Sequence, residues 1–316
     1  MNYTYQGNTF TIERYPTTEN KSLKAWSAAD EHILNFLEES KIATKKTVVY
    51  NDRFGFLSTF IAQNMPTVVL DFKSQEKAFE LNFKTNELSF DVPTKSSIDP
   101  NKANYKLALL KIPKSLDLFR LQLSQIHGSL TENGQVVCGF MTKYFSKQYL
   151  SIASEFFEDC TQSKAWKKSR ILILKKKRKI KKQTFLNEIS YSSDKTFKQH
   201  YGVFSAKNID YATQFFIDHM DVRMDHTKIL DLAAGNGILA YAVQKEKPNS
   251  EIHVLEDSHL ALESSKMNIE GTNVHFHYND CLADFEDQSF DLIVSNPPFH
   301  FEHETNIEVA LELFKE

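Results

Sequence analysis

An Asn-Pro-Pro-Phe tetrapeptide near the C-terminus is the part of the sequence best suited to chemistry. Asn296, Pro297, Pro298 and Phe299 directly follow a hydrophobic stretch, Phe290-Asp-Leu-Ile-Val-Ser. Proline lacks a backbone N–H and has a fixed φ, so two prolines stiffen the turn and leave carbonyl oxygens free to accept. The Asn296 amide oxygen and the Pro297 carbonyl could take both hydrogens of an exocyclic amine whose ring stacks on Phe299. A rigid turn without chemistry is the alternative.

A glycine-containing turn lies upstream, in Asp231-Leu-Ala-Ala-Gly235-Asn-Gly237, between a predicted strand and a predicted helix. Such a turn lets a ligand approach the backbone and the helix N-terminus. Glu256 follows Gly237 by 19 residues and ends the next predicted strand, where an acid can bind both hydroxyls of a ribose. No third glycine and no Lys-Ser/Thr pair follow, so the pattern favours a nucleoside cofactor without a pyrophosphate over NAD or ATP.

The two halves of the chain resemble each other, which indicates a duplication. Tyr105–Lys114 aligns without gaps on Phe290–Phe299, and Val69-Leu70-Asp71 aligns on Leu255-Glu256-Asp257. Asn82 then falls on Asn268, and Thr47-Val-Val-Tyr50 lies over Lys228-Ile-Leu-Asp231. Short apolar strands alternate with amphipathic helices in each copy, so we predict an α/β protein with two tandem, mostly parallel sheets. The expected domains are 1–190 and 191–316.

The second copy has clear predicted elements and a predicted gap. Its strands are expected at 228–232, 251–256, 273–278 and 290–295, and its helices at 209–220, 238–247, 258–269 and 305–315. After Lys114 the first copy continues through two more helices (116–130, 146–157) and two more strands (135–140, 171–174). The second copy ends at Glu316, before any counterpart of these, so we expect its last strands to be missing.

Composition and charge narrow the class of protein. The chain has 316 residues, 41% of them hydrophobic, and its polar N-terminus has no signal-peptide pattern. No apolar run is long enough for a membrane span. Three separated cysteines, Cys138, Cys160 and Cys281, without a CxxC pair predict free thiols in a cytoplasmic protein. His275 and His277 have no cysteine or carboxylate at metal spacing, so no metal is expected.

The first half is strongly basic. Residues 1–190 contain 29 Lys and Arg against 19 Asp and Glu, a net +10, while residues 191–316 contain 9 against 22, a net −13. Such asymmetry indicates that the first half meets a polyanion. A solvated charge run is the alternative. The candidate nucleic-acid contacts are Lys167, Lys168, Arg170, Lys175, Lys176, Lys177 and Arg178.

These motifs together resemble class I S-adenosylmethionine-dependent methyltransferases that have an NPPF motif. More narrowly, nearly the whole chain resembles the two-domain ribosomal RNA guanine-N2 methyltransferases of the RsmC/RlmG family, nearest to the large-subunit (RlmG) branch. The stretches that carry this likeness are Leu23–His32, Asn51–Ser58, Lys111–Lys114, Ala165–Lys168, Val203–Ala206, Ile209–Phe216 and Asn296–His300. The family fold implies two tandem Rossmann-like methyltransferase domains, the first degenerate and the second catalytic.

The resemblance also implies residue roles. Asp231, Gly235 and Gly237 would line the methionine and ribose of S-adenosylmethionine, with Asn296 beside them. Glu256 would bind the ribose and Asp280 the adenine amine, while Phe204 and Ser205 would close over the cofactor. Ala233-Ala234 departs from the Gly-Cys usual in the family. Its Cβ at position 233 is tolerable if φ there is negative.

The first copy has lost these parts. Tyr50 stands for the acid in the sequence alignment, a single Gly55 remains of the glycine pair, and Lys111-Ile-Pro-Lys114 replaces Asn-Pro-Pro-Phe. A basic, non-catalytic copy is expected to position ribosomal RNA, with a purely structural domain as the alternative. We expect a monomer.

Two other functions fit the same residues. Asn-Pro-Pro-aromatic turns also serve methyl transfer to other planar amines, such as a small-subunit rRNA guanine, a DNA adenine or a protein glutamine. The chain could also be an inactive fragment that binds RNA or cofactor, because the expected missing strands would leave the Asn296 strand at a sheet edge. The basic first copy favours RNA, and we predict an rRNA guanine-N2 methyltransferase that acts on 23S rRNA.

Overall fold

The computed structural model describes residues 1–18, 20, 22–89, 91–99, 103–181, 183–297, 300–301 and 304–305. The chain divides into two compact units, Met1–Gln183 and Thr184–Glu316. The division falls seven residues before the expected domain boundary, because residues 186–190 form a strand that pairs within the second unit. Among the described residues, no helix has the length and apolar character needed to span a membrane.

The first unit is built on a seven-stranded sheet preceded by a hairpin. Its strands are β1 (Asn2–Tyr5), β2 (Asn8–Thr11), β3 (Thr47–Tyr50), β4 (Thr67–Val69), β5 (Thr94–Lys95), β6 (Tyr105–Lys111), β7 (Leu130–Met141), β8 (Phe157–Gln162) and β9 (Ser169–Lys177). Strands β1 and β2 form the hairpin. The sheet order is β5-β4-β3-β6-β7-β9-β8, parallel from β5 to β7 and antiparallel beyond.

Helices cover both faces of this sheet, which is why its central strands are almost wholly apolar. They are α1 (Ala28–Glu39), α2 (Phe56–Phe60), α3 (Lys73–Thr85), α4 (Leu116–Ser129) and α5 (Lys147–Phe156). Successive residues of a strand enter opposite cores: Leu109 packs with Ile33 of α1, whereas Leu110 packs with Phe119 of α4. The expected strands at 135–140 and 171–174 lie within β7 and β9.

The second unit repeats this plan with four parallel strands. Its strands are the hairpin β10 (Leu186–Ser190) and β11 (Thr196–His200), the sheet strands β12 (Lys228–Leu232), β13 (Glu251–Glu256), β14 (Val274–Tyr278) and β15 (Leu292–Ser295), and a short pair β16 (His300–Phe301) and β17 (Glu304–Thr305). The sheet order is β14-β13-β12-β15. Helices α6 (Tyr211–His219), α7 (Ile238–Glu246) and α8 (His259–Asn268) match three of the four expected helices.

The fourth helix was expected at 305–315. Thr305 belongs to β17, and residues 306–315 lie outside the described residues. Among the described residues, β15 pairs with β12 alone, and Ile293 is half exposed. The four strands occupy the places of β5, β4, β3 and β6, so the α/β fold with a duplicated Rossmann-like domain is confirmed.

Strand pairing corrects the sequence alignment of the two copies by one residue. Leu107 and Leu292 are equivalent in the gap-free alignment, and they pair with Thr47 and Ile229 respectively. Tyr50 is therefore the counterpart of Leu232, and Val49 is the counterpart of Asp231. The prediction that Tyr50 replaces the acid was wrong, because a one-residue slip along a strand moves a side chain to the other face.

A pair of asparagines performs the same structural task in both units. The Asn82 side chain accepts from the Glu13 amide at 2.7 Å and donates to the carbonyls of Glu13 and Phe54, both at 2.9 Å. Asn268 accepts from the Lys198 amide at 2.8 Å and donates to the carbonyls of Lys198 and Asn236, at 2.8 and 3.0 Å. Each asparagine thus ties an entering segment to the turn that precedes a helix.

Candidate active site

The candidate site lies where the strand order of the second sheet reverses direction. Strand β12 is flanked by β13, which follows it in sequence, and by β15, which comes last. In open α/β sheets, ligands bind outside the carboxyl ends of the strands at such a switch point. Asp231 pairs with Val254 and Val294, so Asp231, Glu256 and Asn296 all lie at this edge.

The turn after β12 has three residues in the left-handed region. Ala233, Gly235 and Gly237 have φ of 58°, 60° and 80°. A Cβ added to Gly235 would meet nothing within 4 Å, whereas one added to Gly237 would come within 2.9 Å of Ser265 Cβ. Gly235 therefore leaves open space beside the turn, and Gly237 permits close packing on α8. Because φ at Ala233 is positive, the expected tolerance for its Cβ fails and this residue is strained by about 1–2 kcal/mol.

Asp231 is buried and only partly satisfied. Its Oδ2 accepts from the Ala240 amide of α7 at 2.8 Å. Its Oδ1 is buried and has no hydrogen-bond partner among the residues that the structure describes. Burial, followed by the charge of Glu256, raises the pKa of Asp231 to about 7. An unpartnered buried acceptor costs free energy unless a ligand donates to it, so Oδ1 fits an ammonium donor.

Glu256 joins the glycine-containing turn to the end of β13. Its Oε2 accepts from the Gly235 amide at 2.7 Å, and its Oε1 accepts from the Ser258 amide at 2.9 Å. Burial, with the nearby charge of Asp257, raises the pKa of Glu256 to about 7. Each carboxylate oxygen has a second lone pair, so this acid can still accept from the hydroxyls of a ribose. The open space at Gly235, the Asp231 acceptor and this acid together fit S-adenosylmethionine.

Asn296 follows β15 directly and is held by the start of α6. Its Nδ2 donates to Asp210 Oδ2 at 3.2 Å and to Thr213 Oγ1 at 2.9 Å. Asp210 is also the N-cap of α6, accepting from the Ala212 and Thr213 amides. An ionised carboxylate only accepts, so the Asn296 atom facing it must be the NH2 group. The amide oxygen is thereby turned away from these partners and left without one among the described residues.

The remaining predicted site residues are placed less completely. Pro297 is buried, and Phe299 lies outside the described residues. Asp280 follows β14, and its amide donates to the Asn279 side chain at 2.9 Å. Phe204 is largely exposed, and its carbonyl accepts from Gln199 Nε2 at 3.1 Å.

Sequence reasoning missed Gln199, although it connects two predicted regions. Gln199 is fully buried and donates to the carbonyls of Val203 and Phe204. Its Oε1 accepts from Asn236 Nδ2 at 2.8 Å, inside the glycine-containing turn. Asp210 and Thr213 were missed as partners of Asn296. A sequence gives no signal for such contacts, because they join residues that are far apart in the chain.

The first unit has different side chains at the equivalent places. Leu70, the counterpart of Glu256, is a buried apolar residue. Lys111, the counterpart of Asn296, places its Nζ 3.2 Å from Asp30 Oδ2 at the start of α1. Gly55, the counterpart of Gly237, keeps the left-handed conformation at φ 73°. The first unit retains the backbone of the site without its acceptors.

The predicted nucleic-acid contacts fall into two groups at opposite ends of β9. Met141 pairs with Ser169, so Lys167, Lys168 and Arg170 lie by the carboxyl end of β7. Lys175 to Arg178 lie at the far end, where Lys177 donates to the Leu130 carbonyl at 2.8 Å.

Most of these basic side chains already contact their own unit. The contacts are Lys167 to Glu31 at 3.0 Å, Arg170 to Gln162 at 3.3 Å, Lys176 to Asp159 at 3.0 Å and Arg178 to the Phe157 carbonyl at 3.3 Å. Lys168 and Lys175 are exposed, and neither has a side-chain partner among the described residues. These two lysines are therefore the ones most available to a polyanion.

Comparisons with known proteins agree with this architecture. Residues 1–179 match the family described as the RLMG N-terminal domain, and residues 194–316 match the Methyltransferase small domain. The fold and the site thus define a two-domain S-adenosylmethionine-dependent methyltransferase. The chain is 30% identical over 98% of its length to the ribosomal RNA large subunit methyltransferase G of Pseudoalteromonas translucida, and it covers 84% of that protein. It belongs to the ribosomal RNA large subunit methyltransferase G (RlmG) family.

A second relative agrees with this family, and a solved structure agrees with the fold. The ribosomal RNA large subunit methyltransferase G of Klebsiella pneumoniae (strain 342) is 28% identical over 98% of this chain and is itself covered to 84%. Among solved structures, the T. thermophilus 16S rRNA N2 G1207 methyltransferase (RsmC) in complex with AdoMet and guanosine matches with a TM-score of 0.72. That match has 16% identity and covers 95% of this chain and 80% of the other, so it supports the fold and not a shared activity.

Proposed function

We propose that this protein transfers the methyl group of S-adenosylmethionine to the exocyclic N2 of a guanine in large-subunit (23S) ribosomal RNA. The orientation of the Asn296 amide is the observation that carries this proposal. Asp210 and Thr213 take its NH2 hydrogens, at 3.2 and 2.9 Å, and its oxygen is left to accept from a substrate amine. The names of the relatives, which are ribosomal RNA large subunit methyltransferases, support RNA as the substrate.

The Asn296 amide oxygen and the Pro297 carbonyl, which together we call the clamp, are proposed to act on the lone pair of the target nitrogen. In guanine this lone pair is delocalised into the ring, so N2 is a weak nucleophile. The Asn296 oxygen and the Pro297 carbonyl would accept its two hydrogens and favour a pyramidal nitrogen, while Phe299 would stack on the ring. When bound, S-adenosylmethionine supplies an electrophilic methyl group on a sulfonium. Alignment and electrostatics then supply the catalysis, and the proton can leave after transfer without a dedicated base.

The cofactor roles follow from the groups at the sheet edge. Asp231 Oδ1 is proposed to accept from the cofactor amine, with the Gly235 and Gly237 backbone alongside. Glu256 is proposed to bind the ribose. Asp280 is proposed to bind the adenine amine, and Phe204 is proposed to close over the cofactor. Asn296 is proposed to lie beside the residues that line the methionine and ribose.

The first unit is proposed to hold the RNA. Its net positive charge favours phosphate contacts, which position a nucleic acid without reading its sequence. Lys168 and Lys175 are the leading contacts, and Lys167, Arg170, Lys176, Lys177 and Arg178 would have to exchange their present partners. A cytoplasmic, monomeric enzyme is the arrangement we propose for this role.

Replacing Asn296 by Ala tests the clamp. We expect methyl transfer to ribosomal RNA to fall by at least about 100-fold, since an aligned acceptor is removed, while S-adenosylmethionine affinity measured by calorimetry stays almost unchanged. Thr213→Val, which removes one acceptor of the Asn296 NH2, should lower kcat several-fold, and Thr213→Ser should restore it. Loss of cofactor binding in Asn296→Ala would show that this residue holds the cofactor and not the substrate amine.

Charge variants test the RNA surface. Lys168→Gln and Lys175→Gln should weaken binding to ribosomal RNA, and each phosphate left without its lysine should reduce the slope of log K against log salt by about 0.7–0.9. Lys266→Gln, at a lysine of the acidic second unit that is paired with Glu263, is the matched control. Equal slopes for the wild-type protein and the Lys168→Gln/Lys175→Gln variant would exclude these two lysines from the RNA surface.

A further inference from the structure

Four ionisable side chains converge on one face of the second sheet, away from the candidate active site. Glu251 and His253 alternate along β13, and His275 and His277 alternate along β14. His253 and His275 are direct partners in the strand register. We call these four residues the histidine cluster. Glu251 begins β13 and Glu256 ends it, so Glu251 is about 16 Å from the cofactor side of the sheet at ~3.3 Å per residue. His253 and its partner His275 are about 10 Å from that side at the same rise, whereas His277 pairs with Leu255, next to Glu256.

Three of these side chains already present their ligand atoms to one point. Glu251 Oε1 lies 2.8 Å from His253 Nε2 and 3.6 Å from His275 Nε2. All three atoms are within 4.8 Å of one another. Ligands at about 2.0–2.1 Å from a tetrahedral zinc ion are roughly 3.3 Å apart. These ligand atoms would therefore have to move by a few tenths of an ångström up to about 1.5 Å to reach the separations of a tetrahedral zinc site. Two of the three side chains are about half exposed, which leaves them free to make such shifts.

His277 supplies the support that metal-binding histidines usually have. His253 Nδ1 and His277 Nε2 are 2.9 Å apart, so the two nitrogens share a hydrogen and one of the rings must be unprotonated there. This contact fixes the His253 ring with its Nε2 towards Glu251. Hydrogen bonding to the other ring nitrogen orients histidine ligands in metal sites in the same way. The rings of Phe285 and Phe290 pack against His253 and restrict it further.

A cation already stands near this carboxylate, but it is weakly held. Lys228 Nζ is 4.0 Å from Glu251 Oε1, and it also lies over the Phe290 ring. The lysine can withdraw to solvent, because its side chain is more than one-third exposed. A divalent ion would bring both histidines and the glutamate together, which a single lysine cannot do.

We propose that Glu251, His253 and His275 bind a divalent transition-metal ion such as Zn²⁺, with His277 positioning His253 and water completing the coordination. Imidazole and carboxylate ligands suit zinc. The ion would join β13 to β14 and would have no part in methyl transfer. The sequence pointed to the opposite expectation, because Glu251 and His253 come next to His275 only through strand pairing.

Titration of the full chain, without a histidine tag and after chelator treatment, tests the site. We expect one Zn²⁺ per chain in calorimetry, a higher melting temperature with Zn²⁺, and tetrahedral absorption bands with Co²⁺. Glu251→Gln and His275→Ala should each weaken Zn²⁺ binding at least tenfold. Both side chains are about half exposed, so the variants should fold, as circular dichroism would check.

His219→Ala is the matched control, since His219 is an exposed histidine of α6 outside the cluster. It should leave Zn²⁺ affinity and stoichiometry unchanged. His277→Phe should weaken Zn²⁺ binding less than His275→Ala does. Unchanged Zn²⁺ binding in the Glu251→Gln/His275→Ala double variant would overturn the proposal, as would binding of less than one ion per chain by the wild-type protein. Methyl transfer should be the same in His275→Ala, which separates this test from that of the clamp.

Discussion

The two units build the same strand–turn–helix and satisfy its helix with acids from different places. In the first unit Asp52 comes from the turn, and its carboxylate accepts from the Ser58 amide at 2.7 Å, the Ser58 hydroxyl at 2.7 Å and the Leu57 amide at 3.2 Å. In the second unit Asp231 comes from the strand, and within the part of the chain that the structure describes it accepts from the Ala240 amide alone. Ser58 and Ala240 are equivalent helix positions. Both carboxylate oxygens of Asp52 accept hydrogen bonds within the fold, whereas Oδ1 of Asp231 has no partner among the described residues.

The ends of the fourth strands differ in the same manner. Lys111 and Asn296 both contact an aspartate at the start of the first helix of their unit, Asp30 and Asp210 respectively. The ammonium of Lys111 has donors only, whereas the amide of Asn296 donates through its nitrogen and keeps an accepting oxygen. The scaffold is therefore common to both units, and the unit proposed to be catalytic differs in having acceptors that the fold does not use.

Alanine at the shared glycine tests whether the two turns are equally crowded. Gly237→Ala would bring its Cβ to 2.5 Å from Ile269 Cδ1, whereas Gly55→Ala would bring it to 3.1 Å from Phe79 Cδ2. Left-handed strain adds about 1–2 kcal/mol to both, and overpacking adds about 1–3 kcal/mol. Overpacking applies to the closer contact at Gly237, so we expect Gly237→Ala to cost about 2–5 kcal/mol and Gly55→Ala about 1–2 kcal/mol in the free energy of unfolding of its own unit.

The two units can be followed separately in this experiment. Both tryptophans, Trp26 and Trp166, are in the first unit, so their fluorescence in urea reports on Gly55→Ala. Hydrogen exchange of peptides from α7 reports on Gly237→Ala. An equal cost for the two variants would mean that α3 and α8 approach their turns equally closely.

Asparagine at the two acids separates fold from chemistry. Asp52→Asn should destabilise the first unit by about 1–3 kcal/mol, because an amide NH2 would face a backbone donor, and cofactor affinity should not change. Asp231→Asn should keep its bond to Ala240 and cost little stability. Its S-adenosylmethionine affinity should fall about 10–100-fold, as for the removal of a charged hydrogen bond. Calorimetry and urea unfolding measure the two effects.

The pH dependence of the second unit gives an independent check. The pKa values of Asp231 and Glu256 are raised to about 7. Their contribution to stability is therefore complete below about pH 4 and is lost as the pH rises through about 7. Cofactor affinity should move the other way and increase from pH 5.5 to 7, because ionised Asp231 accepts from the amine, which stays protonated in this range. Asp231→Asn should flatten the affinity profile and reduce the stability profile to the part that Glu256 contributes. An affinity independent of pH in the wild-type protein would contradict this role of Asp231.

The smallest expected effect has opposite signs in the two units. Ala233 and Asn51 are equivalent residues with φ of 58° and 59°. Ala233→Gly should stabilise the second unit by about 1 kcal/mol, because strain is relieved. Asn51→Gly should destabilise the first, because Asn51 Nδ2 donates to the Lys111 carbonyl and to Gln122 Oε1, both at 2.8 Å. Thermal unfolding should show the two shifts, and stabilisation by Asn51→Gly would mean that those bonds contribute no net stability.

Much of the architecture was predictable from the sequence because it depends on local patterns. The apolar runs at 228–232 and 251–256 are strands with those limits, and the strand ends carry the expected acids. The segment-by-segment alignment of the copies was enough to infer the duplication. It failed at Tyr50, where no local signal distinguishes two registers that differ by one residue.

The contacts that complete the site were beyond the sequence. Asn296 is separated from Asp210 by most of the second unit, and Gln199 meets Asn236 only after a hairpin folds onto α7 and α8. The histidine cluster was missed for the same reason, since a spacing rule along one strand cannot count ligands on its neighbour. Nor could net charge foresee that Lys167 and Lys176 would pair with acids of their own unit.

The equivalent asparagines Asn82 and Asn268 make equivalent hydrogen bonds in the two units, as expected of a duplicated domain. After a gene duplication, one copy is released from the demands of catalysis but still has to fold. Identities that survive in both copies, such as these two asparagines and the glycines at 55 and 237, mark what selection for shape alone preserves. Residues that diverged between the copies mark where selection for activity ceased to act on one of them.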